Sequence, residues 1–113
     1  MKDFRNLLVW EKAHKLALDI YGATSLFPRE EIYGLTSQIR RASVSIPANI
    51  AEGCGRDSEG ELLLFKGIAM GSSSESEYEL ILAHDLGYFP DEKFITIHGD
   101  LVQVRKMLNA FIQ

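Results

Sequence analysis

Apolar residues recur at three- and four-residue spacing along almost the whole chain, and Pro28 and Pro90 interrupt the pattern. That spacing is the period of an α-helix, 3.6 residues per turn. No stretch competes with it by showing the two-residue alternation of a half-buried strand. A chain patterned this way is expected to fold as helices, with its breaks as loops.

In the first segment, about Asn6 to Leu26, Val9, Trp10, Ala13, Leu16, Ala17 and Ile20 share one side, while Glu11, Lys12, Lys15 and Asp19 share the other. "FPREEIYG" follows as a loop, because Pro28 prevents a continuous helix. A second helix is expected from about Ile32 to Gly53. A third opens on a capping box, Ser58 with Glu61 three residues later, and runs to about Leu86. "GYFPDE" is the next break. The fourth starts near Asp91 or Glu92, where acids suit a helix N-terminus, and carries Phe94, Ile97, Leu101, Val104, Leu108 and Phe111. "GSSSESE" has the composition of a linker, but helical periodicity resumes at once in "YELILAHDLGY". It is expected inside the third helix, where helices approach closely. Four helices with short loops predict one all-α domain over residues 1–113, an antiparallel up-down four-helix bundle.

The formal net charge is -4, a poor start for a nucleic-acid binder. The charge is uneven: Asp57 to Glu92 holds nine acids and one lysine, Lys66. A local basic strip using Arg40, Arg41, Arg56, Arg105 and Lys106 stays open. The N-terminus "MKDFRNLLVWEKAH" has no long apolar stretch and does not read as a secretory leader. No run approaches the ~18 apolar residues of a membrane span, so no membrane partner is expected and the cytoplasm is the expected location.

The stretch "SVSIPANIAEGCGR" is the least ordinary part. On the second helix, Leu35, Ile39, Ala42, Ile46 and Ile50 form a core stripe. Beside it lies a polar line, Gln38, Arg41, Ser45, Asn49, Glu52 and Arg56, and beyond that a strip of small or apolar residues, Val44, Ala48 and Ala51. Pro47 removes its own N–H and crowds the carbonyl of Ser43, so a kink is expected. The third helix is also two-sided: Leu62, Phe65, Ala69, Leu80 and Ala83 on one side, Leu64, Gly67, Gly71, Tyr78 and Leu82 on another. Two occupied faces point to a subunit interface. A solvated polar face beside good helix formers is the competing reading. Arg41 and Glu52 are too far apart to pair on one helix, and Glu75 and Glu79 are the expected partners of Arg41.

Little here carries catalysis. A di-metal carboxylate bundle needs Glu-x-x-His on two helices, and only Glu11 to His14 matches. The single cysteine, Cys54, excludes an intrachain disulfide and sits in no nucleophile elbow. Gly53-Cys54-Gly55 lacks the Lys-Ser/Thr of a phosphate loop, and Gly67 and Gly71 suit close helix approach. No cofactor and no enzymatic activity are expected.

"LLVWEKAHKLALDIY", "FPREEIYGLTSQIRRASVSIPANIAEGCGR", "GIAMGSSSESEYEL" and "LGYF" occur in the order seen in the 23S rRNA-intervening-sequence proteins, also called the S23 ribosomal protein family, and the chain resembles that family over nearly its whole length. The resemblance implies a bundle that assembles as a homopentameric barrel. The chain is also similar to the accessory variability protein of diversity-generating retroelements, a pentamer that binds a reverse transcriptase and nucleic acid through a basic surface, but it is acidic where that relative is basic. The motif positions carried over are Trp10, Gln38, Arg40, Arg41, Ser45, Pro47, Asn49, Glu52, Gly53, Arg56, Gly71, Ser72, Glu75 and Glu77. Ser73 and Ser76 depart from the pattern, where leucine is expected in at least one place. The expected interface or partner-binding set is Gln38, Arg40, Arg41, Ser45, Asn49, Glu52, Arg56, Glu75 and Glu79. Its expected role is a non-enzymatic assembly or partner-binding scaffold, with an RNA- or DNA-binding accessory module acting with rRNA or a reverse transcriptase as the alternative; the expected partners are copies of itself and, in that alternative, RNA or a nucleic-acid-processing protein.

Overall fold

In the computed structural model, which describes residues 3–111, the chain forms four helices: α1 (Leu8–Thr24), α2 (Leu35–Cys54), α3 (Glu59–Asp85) and α4 (Asp91–Ala110). Single 3-10 turns, Phe4–Asn6 and Arg29–Glu31, precede α1 and α2, and the described residues contain no strand. Each helix packs on its two neighbours in a closed ring, α1 on α2, α2 on α3, α3 on α4 and α4 on α1, with no diagonal contact. Consecutive helices run antiparallel. Ser45 of α2 meets Ser72 of α3, and Gly53 of α2 faces Leu62 and Phe65. On α4, Arg105 reaches Ser73 while His98 reaches Glu77.

The helix ends follow local chemistry. Ser58 Oγ accepts the Glu61 N–H at 3.1 Å, so the expected cap starts α3. α3 ends at a left-handed Gly87, φ 78°, with Tyr88 N–H donating to Ala83 O and Gly87 N–H to His84 O. That pair of bonds is a Schellman motif, and it explains why glycine stands in "LGYF". α2 starts three residues later than its periodicity suggests. The Arg29–Glu31 turn intervenes, and the Glu31 carboxylate then accepts the Leu35 N–H at 3.1 Å. Tyr88 donates its hydroxyl to the same carboxylate at 2.7 Å, tying the α3–α4 corner to the start of α2. Lys66 caps the far end of α4 by donating to the carbonyls of Asn109 and Phe111.

The core is built from Leu16, Ile20, Ile39, Ile46, Ile50, Ile97, Leu101, Val104 and Leu108, all fully buried, with Leu80 from α3. Each such side chain contributes roughly 1.5–3 kcal/mol through burial. The expected core stripe of α2 is buried throughout. α3 otherwise offers small groups to the core, namely Ala69, Ser73, Ser76 and Ala83, which lets the larger side chains of the other helices fill the centre. Pro47 lies buried inside α2, and the helix continues through it to Cys54.

Candidate functional site

The α2–α3 seam is held close by small and polar groups. Asn49 Nδ2 donates to the Ser45 carbonyl at 2.7 Å and to Ser45 Oγ at 2.9 Å, and Ser72 Oγ bonds Ser45 Oγ at 2.8 Å. A Cβ on Gly53 would sit 2.9 Å from Leu62 Cδ1 and 3.1 Å from Phe65 Cβ, so glycine is what permits this approach. The Ser45–Ser72 contact also sets the register. In an antiparallel pair, Gln38 and Arg41 fall level with Glu79 and Ser76.

Along the polar line, Gln38, Arg41, Glu52 and Arg56 are exposed, while Ser45 and Asn49 are half-buried against α3. Arg56 pairs with Glu52 at 3.1 Å and Glu61 at 3.8 Å, and lies 5.0 Å over the Phe65 ring. Glu52 therefore finds its partner four residues on, just past the end of its own helix. Arg41 makes no ion pair among the described residues, so its expected partners Glu75 and Glu79 do not meet it within this chain. Arg40 has a different job from the one its sequence suggests. Its Nε donates to Thr24 Oγ1 at 2.8 Å, its Nη2 to the Tyr21 carbonyl at 3.3 Å, and its guanidinium lies 4.7 Å over the Tyr21 ring. It clasps the end of α1 to α2.

Glu75 and Glu79 stand one turn apart on α3. Glu75 is exposed; Glu79 is only 4% exposed. Among the described residues Glu79 Oε1 has no hydrogen-bond partner, and neither has the buried Ser76 Oγ one turn before it. Burial disfavours the ionised form, and the charge of Glu75 adds to that. The Glu79 carboxyl is pushed up to about 7.

Sequence reasoning missed a second cluster on the opposite side of α3. Glu77 accepts from Arg105 Nη1 at 2.7 Å and bonds His98 Nε2 at 2.8 Å. Arg105 also donates to Ser73 Oγ at 3.2 Å and Ser73 O at 3.0 Å, a reach that leucine at this departing position would block. Arg105 and then His98 hold the Glu77 carboxyl below its ordinary range. His98 stacks on Phe94, Phe94 on His84, and His84 bonds Asp91 at 2.6 Å. Only the register of α3 against α4 brings these groups together, and no local motif announces it.

The outward side of the α2–α3 pair is apolar where solvent is expected. Leu64 is 60% exposed, Ile68 43%, Tyr78 62% and, on α2, Val44 41%. A Cβ on Gly67 or Gly71 would meet nothing within 4 Å among the described residues, so no helix of this chain makes the close approach that these glycines suit. Both look onto open space.

The remaining chemistry is sparse. Glu11 and His14 are exposed, and His14 stacks flat on Trp10 at 5.0 Å. Cys54 is buried. Among the described residues no three His, Cys, Asp or Glu side chains are grouped as metal ligands, and no helix is long and apolar enough to cross a membrane. Arg40, Arg56 and Arg105 are spent on separate intrachain partners, so the five candidate basic residues do not form one free strip.

Comparison with known proteins adds a lineage. A family model described as 23S rRNA-intervening sequence protein matches residues 5–110. The crystal structure of a protein with unknown function from the S23 ribosomal protein family of Bacteroides thetaiotaomicron VPI-5482 superposes with a TM-score of 0.84 at 27% identity, covering 94% of this chain and 99% of that one. No curated protein matches the chain.

Proposed function

The chain belongs to the 23S rRNA-intervening sequence protein family, and from that premise we propose that it is a non-enzymatic scaffold that works by assembling with copies of itself. One observation carries this reading: the outward side of α2 and α3 keeps Val44, Leu64, Ile68 and Tyr78 exposed, although the bundle has its own filled core. Exposed apolar groups gathered on one side are costly in water and mark a surface meant to be covered.

The two helices offer different patches. α2 presents Val44, Ala48 and the unpaired cation Arg41; α3 presents Leu64, Ile68, Gly71, Tyr78 and the acid Glu75. Opposite charges on adjacent, unlike patches favour a head-to-tail contact, α2 of one copy against α3 of the next. Head-to-tail contacts close into rings when the rotation permits, and a ring of five is the assembly we propose. The alternative, an RNA- or DNA-binding accessory module, has less to stand on, because three of its five basic residues are engaged within the bundle.

Light scattering at micromolar concentration tests the reading. The expected result is an oligomer that Ile68→Glu dissociates without loss of helical circular dichroism. A stable monomer of the parent chain would contradict it.

A further inference from the structure

The outer face of α3 contains a feature that a merely apolar contact does not need. Glu75 stands in the middle of the exposed patch, between Ile68 and Tyr78, one helical turn before the buried Glu79. Glu79 is almost completely buried, yet among the described residues its Oε1 has no partner, and the Ser76 hydroxyl one turn away is also unsatisfied. Buried polar atoms normally have partners, so two orphans within one turn mark an arrangement that is incomplete in the single chain.

The charges around this pair can be counted. On α2, the residues level with it are Gln38, which is neutral, and Arg41, which is exposed and unpaired. Arg40 points its guanidinium at α1. On the α4 side, Arg105 and His98 are taken by Glu77, and His84 by Asp91. Among the described residues, then, no cation balances Glu75 and Glu79. Covering the patch with another copy would strip water from Glu75 and leave two carboxyls one turn apart in a desolvated site. Two negative charges there are not tolerable, and one is tolerable only with a cation.

We propose that the Glu75–Glu79 pair is a clasp for the Arg41 guanidinium of a second copy, and that it closes while the two carboxyls share one proton, so that assembly is proton-linked. This rests on the self-assembly reading above. The balance is simple: two carboxyls holding one proton carry one negative charge, and one guanidinium cancels it. Removing the shared proton leaves a net charge buried in the contact and opens it. The partner is a copy of this chain because the same face carries both halves of the clasp, Arg41 on α2 and the acid pair on α3.

Sedimentation velocity between pH 5.5 and 8.5 at fixed ionic strength tests the clasp. The association constant is expected to fall as pH rises through neutrality, by up to about tenfold per pH unit for one linked proton per contact. Glu79→Gln, neutral at every pH, should flatten that dependence and keep the assembly closed at pH 8.5. Arg41→Glu should weaken association at least tenfold, and adding Glu75→Arg should restore it. Association that is independent of pH, a Glu79→Gln variant with the parent's slope, or an unrescued double variant would each overturn the clasp while leaving self-assembly standing. A parent chain monomeric across the whole range would overturn both.

Discussion

Glu77 and Glu79 stand two residues apart on one helix and live in opposite worlds. Glu77 faces α4 and is answered there by Arg105 and His98. Glu79 lies on the α2 side, more deeply buried, and the charge that acts on it is another acid, Glu75. Two residues on a helix are a rotation of ~200°, enough to carry a side chain from one neighbouring helix to the other. The same carboxylate is thus stabilised by its ionised form on one side of α3 and by its neutral form on the other. Burial alone does not decide what an acid contributes; the helix it faces does.

The largest effect should come from removing the disfavoured charge. Glu79 is raised to about 7 from an ordinary 4.5. Its folded form prefers the proton, so its contribution is complete below about 4.5 and is lost as pH rises toward 7. Glu79→Gln keeps the neutral state. It should therefore unfold later than the parent at pH 8.5, by about 3 kcal/mol, and nearly with it at pH 4.5. Urea melts at the two pH values check this, and a variant less stable than the parent at pH 8.5 would break the comparison from the Glu79 side.

Glu77 should behave with the opposite sign. Its lowered carboxyl stabilises the fold above the ordinary carboxylate range, and that stabilisation is lost as pH falls through the folded value. Glu77→Gln leaves Arg105, which is half-buried, facing a neutral group, and should cost about 2 kcal/mol at pH 7 and less as pH falls through the lowered folded value. Denaturant melts of this variant that match the parent at pH 7 would break the comparison from the other side.

How much of this could be read beforehand depends on how far apart the interacting residues lie. The four helices, the α2 core stripe and the Ser58 cap were legible because each rests on spacing within a few residues. α3 was harder, since apart from Leu80 its core side is made of Ala69, Ser73, Ser76 and Ala83, and several of its large apolar residues face outward. The polar line was visible as a line, but not how each member is used. Arg40 clasps α1 through Thr24, 16 positions away, and Glu77 meets Arg105 on another helix. Those pairings depend on interhelical register, which no local pattern encodes. Ser73 looked like a packing defect and proves to be an acceptor for Arg105.

A smaller effect sharpens the seam itself. Gly53→Ala must displace Leu62 or Phe65, and should cost about 1–2 kcal/mol by overpacking. Gly71→Ala, mid-helix with open space around it, should stabilise the single bundle by about 0.5–1 kcal/mol through helix propensity. A thermal melt in which the two substitutions shift the midpoint equally would mean that the α2–α3 approach is looser than these distances require. Smallest of all should be Arg41→Ala, well under 1 kcal/mol for an exposed and unpaired cation, read in a dilute sample where the chain is not assembled.

The central claim is that one helix holds two glutamates in opposite protonation regimes. Carboxyl carbon chemical shifts of Glu77 and Glu79, followed by NMR from pH 3 to pH 9, measure it directly. The account predicts that Glu77 titrates below the ordinary carboxylate range and Glu79 near 7, the two moving in well-separated steps. Two superimposed titrations near the ordinary value of 4.5 would contradict it.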